Sequence, residues 1–231
     1  MKKIFYSLML FCNLGHAMAA DGSLISTSSE RTFIPRGFDD NDQTLIVIEG
    51  HLPNDCYRLE TPEIKTDHAN HEIFVQPKAA YYNWLCLEVL VPWTQVVTIG
   101  KLEAGDWSLK VGTSRPAEAF AIKHSSTLSP DDFVYAPVDT LNIDVTSQFA
   151  VATIRGRFAS RCAELQEVKL IDSGNTIEVL PIMKAGTARN CEQKDQQFEY
   201  KFELPIKSSG RYLVHVRSLN GQSINQVYEV Q

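Results

Sequence analysis

Four cysteines beyond the first twenty residues, Cys56, Cys86, Cys162 and Cys191, occupy matching places in two successive stretches of chain. This duplication constrains the fold more than any other feature. Gly50 stands six residues before Cys56, and Gly156 stands six before Cys162. An I-x-V-x-P run follows in each copy, Ile73-Phe74-Val75-Gln76-Pro77 and Ile177-Glu178-Val179-Leu180-Pro181. Seven residues past Cys86 and Cys191 come Trp93 and Phe198; nineteen past them come Gly105 and Gly210, and two further on Trp107 and Tyr212. The period of about 105 residues is far longer than a solenoid repeat and suits one small domain per copy. An even number of cysteines in an exported chain reads as a disulfide framework. The repeat selects Cys56–Cys86 and Cys162–Cys191 among the possible pairings. Each would close a loop of about 30 residues, worth about 3.5 kcal/mol in the chain-entropy model. A structural zinc site is the competing reading, but no C-x-x-C pair is present and no histidine repeats beside the cysteines.

The export context comes from the N-terminus. Lys2 and Lys3 precede an apolar run from Ile4 to Leu14, and Ala17-Met18-Ala19 supplies small residues at a cleavage site. That order predicts a signal peptide over residues 1–19, cut after Ala19. The run is too short to span a bilayer, and no later segment is long and apolar enough. The expectation is a soluble mature protein, periplasmic or extracellular. The fifth cysteine, Cys12, follows Phe11 inside the apolar run and belongs to the leader. The formal net charge of −6 becomes −8 once Lys2 and Lys3 are removed, because the leader holds no acid. An acidic chain with dispersed charges argues against nucleic acid or anionic lipid as partner.

Apolar residues alternate with period two. Trp93, Gln95, Val97 and Ile99 share one face, as do Phe198, Tyr200, Phe202 and Leu204. Trp107, Leu109, Val111 and Tyr212, Val214, Val216 repeat the pattern one strand later. Such alternation marks strands with one face on a core and one in water. Leu219-Asn220-Gly221-Gln222 carries a hairpin signal before a last strand. The fold expected is all-β: two tandem immunoglobulin-like antiparallel β-sandwich domains from an internal duplication, one disulfide each. The first domain takes residues 20–123 and the second 141–231, with 124–140 as a linker or lead-in strand.

Catalytic signatures are missing. There is no G-x-S-x-G, and oxidised cysteines offer no thiolate. Phosphate loops and dinucleotide fingerprints are absent, so no cofactor is expected. Asp39-Asp40-Asn41-Asp42 offers hard oxygen ligands of the kind calcium takes, but the EF-hand spacing fails. It reads instead as a solvated acidic turn. His68 and His71 read as surface residues. No catalytic residue and no metal ligand is assigned.

The two copies also control for each other, since what only one copy carries is not demanded by the fold. Tyr81, Tyr82 and Trp84 precede Cys86, whereas the same offsets before Cys191 hold Gly186, Thr187 and Arg189. These three aromatics are the candidate binding residues, because tyrosine and tryptophan favour contact surfaces. Trp84, two residues from Cys86, would share its inward direction in a strand. Residues 21–123 carry nine basic and fifteen acidic side chains, against eleven and ten in residues 141–231, with Arg155, Arg157 and Arg161 close together. Unlike faces of this kind would steer head-to-tail packing or a partner. The expectation is a non-catalytic binding or envelope-assembly module whose partner is a protein or glycan of the cell envelope. The alternatives are a periplasmic chaperone-like protein for surface structures, with which the chain shares only length, leader and two sandwiches, or an envelope-polymer hydrolase.

Overall fold

A computed structural model describes residues 22–83, 85–113, 116–146, 149–184, 186, 191–205 and 208–230. The predicted leader and Trp84 lie outside the described residues. The first copy contains β1 (Ser23–Ser26), β2 (Arg31–Phe33), β3 (Thr44–Leu52), β4 (Tyr57–Asp67), β5 (Glu72–Tyr81), β6 (Val91–Gly100), β7 (Gly105–Val111) and β8 (Glu118–Ile122). The second contains β9 (Val138–Val145), β10 (Ala150–Phe158), β11 (Glu164–Asp172), β12 (Thr176–Lys184), β13 (Gln196–Leu204), β14 (Gly210–Ser218) and β15 (Gln222–Val230). A three-stranded sheet, β2-β3-β6, faces a larger one in which β5 pairs β1, β4 and β7, and β7 pairs β8. The second copy repeats this as β13-β10-β9 facing β11-β12-β14-β15. Each copy is therefore a β-sandwich, and each holds its disulfide, Cys56–Cys86 and Cys162–Cys191. Pairing is antiparallel except for one parallel pair per copy, β5 with β7 and β12 with β14.

The repeated residues acquire packing roles. Gly50 pairs across strands with Trp93, and Gly156 with Phe198. A Cβ on Gly50 would come within 2.7 Å of the Trp93 ring, and one on Gly156 would meet the Phe198 ring and the Pro137 carbonyl. The glycine leaves the space that its aromatic partner fills. In the I-x-V-x-P run, the isoleucine and valine pair in parallel, Ile73 with Leu109 and Val75 with Val111, then Ile177 with Val214 and Val179 with Val216. The proline marks the point where that strand edge changes partner. Pro77 accepts a hydrogen bond from Thr27 N–H (3.0 Å) beside β1, and Pro181 accepts one from Ala136 N–H (2.7 Å). A proline has no N–H to leave unpaired at such a switch, and its carbonyl still accepts. In the segment before β9, Tyr135 bridges Ile182 in the manner of β1.

Alternation holds on most strands, with Trp93, Val97, Trp107, Leu109, Val111, Tyr212, Val214 and Val216 all buried. Phe198 and Phe202 are only half-buried and Tyr200 is exposed, because β13 lies at the edge of its sheet. Asn220 (φ 62°) and Gly221 (φ 68°) take the left-handed conformations that the Asn-Gly signal requires between β14 and β15.

The outward face of β14 departs from simple alternation. Leu213, His215 and Arg217 are buried against the first sandwich, and Arg211 is half-buried at its rim. Leu213 is fully buried within the apolar cluster that holds Phe33, Leu45 and Val47, on the outward face of β2 and β3, and Val227 of β15 packs against the same cluster. Charged groups surround this contact. Arg217 Nη1 donates to both oxygens of Asp42 (3.0 and 2.9 Å), and its Nη2 donates to the Gly37 carbonyl. Arg211 donates from Nη2 and Nε to the two oxygens of Glu49 (2.6 and 2.9 Å). Phe38 lies edge-on to His215 and beneath the Arg217 guanidinium. The acidic turn is thus not solvated: Asp39 and Asp42 are buried at this interface, with Asp42 committed to Arg217. The unlike charges of the copies do meet head to tail, but through Arg211 and Arg217. Arg155, Arg157 and Arg161 pair within their own sandwich, with Glu199, Asp139 and Glu192.

Two outcomes follow from this packing. Replacing Gly156 by alanine forces a Cβ onto a backbone carbonyl and a ring, so denaturant titration of Gly156→Ala should show a loss of about 1–3 kcal/mol. His215 donates from Nδ1 to Asn225 Oδ1 (2.7 Å), while its Nε2 is buried without a partner among the described residues. Burial, with Arg217 nearby, pulls its pKa down to about 4. Below about pH 6.5 the unfolded chain takes up a proton that the folded histidine refuses, so stability is lost as pH falls, by about 3 kcal/mol at about pH 4. Burial raises Asp42 and Glu178, which act in the opposite sense. Comparing wild type with His215→Gln therefore isolates the histidine, and the variant should gain by that amount relative to wild type on acidification.

Candidate functional site

The end of the first sandwich that carries its disulfide also carries the predicted aromatics. β5 ends there at Tyr81, and the chain crosses through residues 82–90 to the start of β6 at Val91. Cys86 ties this crossing to Cys56 at the start of β4, with Cα atoms 5.4 Å apart. Leu87 N–H donates to Asp55 Oδ1 (2.7 Å), and Tyr82 N–H donates to the Cys56 carbonyl (3.0 Å). Tyr81 is half-buried, its ring 5.0 Å from that of Tyr57. Tyr82 is half-buried over Gly22, where a Cβ would lie 2.9 Å from its ring. Tyr81 and Tyr82 therefore sit side by side on this end, partly packed, with one outer surface still open.

Four exposed apolar side chains lie just beyond them. Leu85 is 98 % exposed, Leu90 70 %, Leu87 64 % and Val89 53 %. Such side chains normally seek a core, and several together mark a contact surface. The second sandwich provides the control. Leu87, Val89 and Leu90 lie one, three and four residues past Cys86, and the same offsets past Cys191 hold Glu192, Lys194 and Asp195, all exposed, with Glu192 paired to Arg161 (2.9 Å). One backbone arrangement thus accepts an apolar crossing in one copy and a polar one in the other. Leu87, Val89 and Leu90 were legible as a difference between copies, on the C-terminal side of Cys86.

Other candidates resolve into structural roles. Asp55, Cys56 and Cys86 form the single cluster of potential metal ligands among the described residues, and both sulfurs are joined in the disulfide. His71 stacks on Trp107 at 4.6 Å, and His68 stands edge-on to the same ring while contacting Glu103 (2.7 Å). The two imidazoles bracket a core tryptophan. Two grooves of about 480 Å³ lie at equivalent places, one bounded by Gly50 and Trp93 and one by Gly156 and Phe198. Their rims are already ion-paired, by Arg31 and Arg211 with Glu49 and by Arg155 with Glu199. Burial raises Glu178 and Asp42, but each already has a partner at the sandwich interface: Arg36 N–H and Ser173 Oγ–H on Glu178, Arg217 on Asp42.

No curated protein and no solved structure matches the chain. A family model described as the ORF11 beta-sandwich domain matches it in two segments, residues 46–122 and 152–230. The first segment runs from within β3 to the end of β8, and the second from within β10 to the end of β15, so they follow the two structural copies. With more than half of its length matched in this way, the chain belongs to the ORF11 beta-sandwich domain family.

Proposed function

We propose that this protein is an exported, non-catalytic binding or assembly module that engages a protein of the cell envelope through the apolar end of its first sandwich. The observation that carries this reading is the contrast between the exposed Leu87, Val89 and Leu90 in one copy and Glu192, Lys194 and Asp195 at the same offsets in the other, with the exposed Leu85 just before Cys86. Exposed leucines are not needed to form the sandwich, and they are costly to leave in water, about 0.8 kcal/mol per CH₂. A surface of this kind is retained where a partner covers it. Aliphatic side chains complement a protein surface. A glycan would draw on open aromatic faces, and Tyr81 and Tyr82 are already partly packed against Tyr57 and Gly22. Export is supported by the leader pattern of residues 1–19 and by two disulfides, which persist in oxidising compartments. Among the described residues, no helix is long and apolar enough to cross a membrane.

The test is cross-linking capture of the tagged protein from its native envelope, in parallel with the Leu87→Ser/Leu90→Ser double variant. A defined protein should be captured by wild type and lost in the variant. Both side chains are exposed, so the variant's stability should match wild type within about 0.5 kcal/mol. Capture that survives the substitution would place the contact surface elsewhere. Intact-mass analysis of the secreted product should begin at Ala20 and show both disulfides within their own copies.

A further inference from the structure

The crossing that each disulfide ties down is also tethered by one pair of positions, in opposite ways in the two copies. In the first sandwich the pair is Asp55, just before Cys56, and Leu87, just after Cys86. In the second it is Arg161, just before Cys162, and Glu192, just after Cys191. Arg161 donates its backbone N–H to the Glu192 carbonyl (3.1 Å) and pairs through Nη1 with the Glu192 carboxylate (2.9 Å). That tether engages the side chain of the crossing. Asp55 instead accepts the Leu87 N–H on Oδ1 (2.7 Å). This tether takes backbone from the crossing, and the Leu87 side chain stays 64 % exposed.

The hold extends along the crossing. The Leu87 carbonyl accepts the Val89 N–H (2.8 Å), so fixing Leu87 also fixes the tight turn that carries Val89. On the other side the disulfide joins Cys86 to Cys56, and a carboxylate oxygen of Asp55 lies within 4.8 Å of both sulfurs. Asp55 is itself held in place. Asn54 Oδ1 accepts the Cys56 N–H (3.1 Å), and Arg58 Nη1 donates to the Asp55 carbonyl (2.6 Å). Residues 85–90 belong to no strand, so no ladder of hydrogen bonds orders them. A contact surface on such backbone loses affinity to the cost of ordering it, and holding it in place beforehand removes that cost. An ionised acceptor gives the stronger class of hydrogen bond for this purpose.

We infer that Asp55 is a positioning residue for the leucine crossing: its carboxylate, beside the Cys56–Cys86 disulfide, fixes Leu87 and Val89 in the arrangement that the partner meets. This deepens the binding-module reading and rests on it. Asp55 touches the backbone of the contact surface and leaves its apolar side chains free to be covered.

Residue-by-residue amide exchange of the mature protein tests the tether in wild type, Asp55→Ala and Asp55→Asn, with Arg161→Ala as the control in the other copy. Asp55→Ala should speed exchange of the Leu87 amide at least about tenfold, as expected for losing one hydrogen bond to a carboxylate. Its unfolding midpoint should stay near that of wild type, because the bond lies at the exposed end of the sandwich. Asp55→Asn keeps an oxygen acceptor and should return most of the protection. Each variant is then cross-linked in the native envelope to the protein that wild type captures. Asp55→Ala should lower the yield about fivefold, Asp55→Asn should restore it, and Arg161→Ala should leave it unchanged. Leu87 protection that survives Asp55→Ala, or capture that survives the loss of that protection, overturns the positioning role alone. Wild type that captures no defined protein overturns the binding-module reading and the positioning role with it.

Discussion

Strand β14 is buried on both faces, and the arrangement of the whole chain depends on it. Its inward residues Tyr212, Val214 and Val216 fill the second core, and its outward residues pack onto the first sandwich. Leu213 supplies the apolar centre of that contact. Arg211 and Arg217 hold its rim to Glu49 and Asp42. Charges buried this way are a weak source of net stability, because desolvation offsets their attraction. They do specify geometry, since any other docking would leave Arg217 or Asp42 buried without a counter-charge. The neutral state of His215 belongs to the same constraint.

The sheet faces turned away from this joint are polar. On β7, the positions that correspond to the outward residues of β14 hold Asp106, Ser108 and Lys110. The outward face of β10 and β13 carries Arg155, Arg157, Glu199 and Lys201, all exposed. A connecting segment unique to the first copy completes the joint. Residues 34–43 bring Phe38 and Asp42 to β14, whereas the connection at the same place in the second copy is only residues 146–149. Duplication supplied two similar folds, and divergence made one face of each adhesive to the other.

Seen across the copies, positions fall into three groups with different physical causes. Gly50 and Gly156, the two I-x-V-x-P runs and the disulfides recur because the sandwich geometry demands them. Phe38, Arg211, Leu213 and Arg217 occur once because they join the sandwiches. Leu85, Leu87, Val89 and Leu90 also occur once, and among the described residues they stay exposed. The proposed contact surface is built from that third group.

The sequence alone determined the all-β class, the duplication and both disulfides, because these depend on local alternation and on offsets that survive along the chain. It also named Tyr81 and Tyr82, which lie at the disulfide end of the first sandwich beside the exposed Leu85, Leu87, Val89 and Leu90. Only the tertiary structure decided the fate of the turn from Asp39 to Asp42, read from composition as solvated: Asp39 and Asp42 are buried, Asp42 against Arg217, while Asp40 and Asn41 stay half-exposed. It alone decided that the outward face of β14 is not in water, and that the arginines at the joint are Arg211 and Arg217. These residues lie more than 150 positions from their partners. Alternation reports which face of a strand is apolar, but a charged residue facing outward looks the same in sequence whether water or another domain covers it.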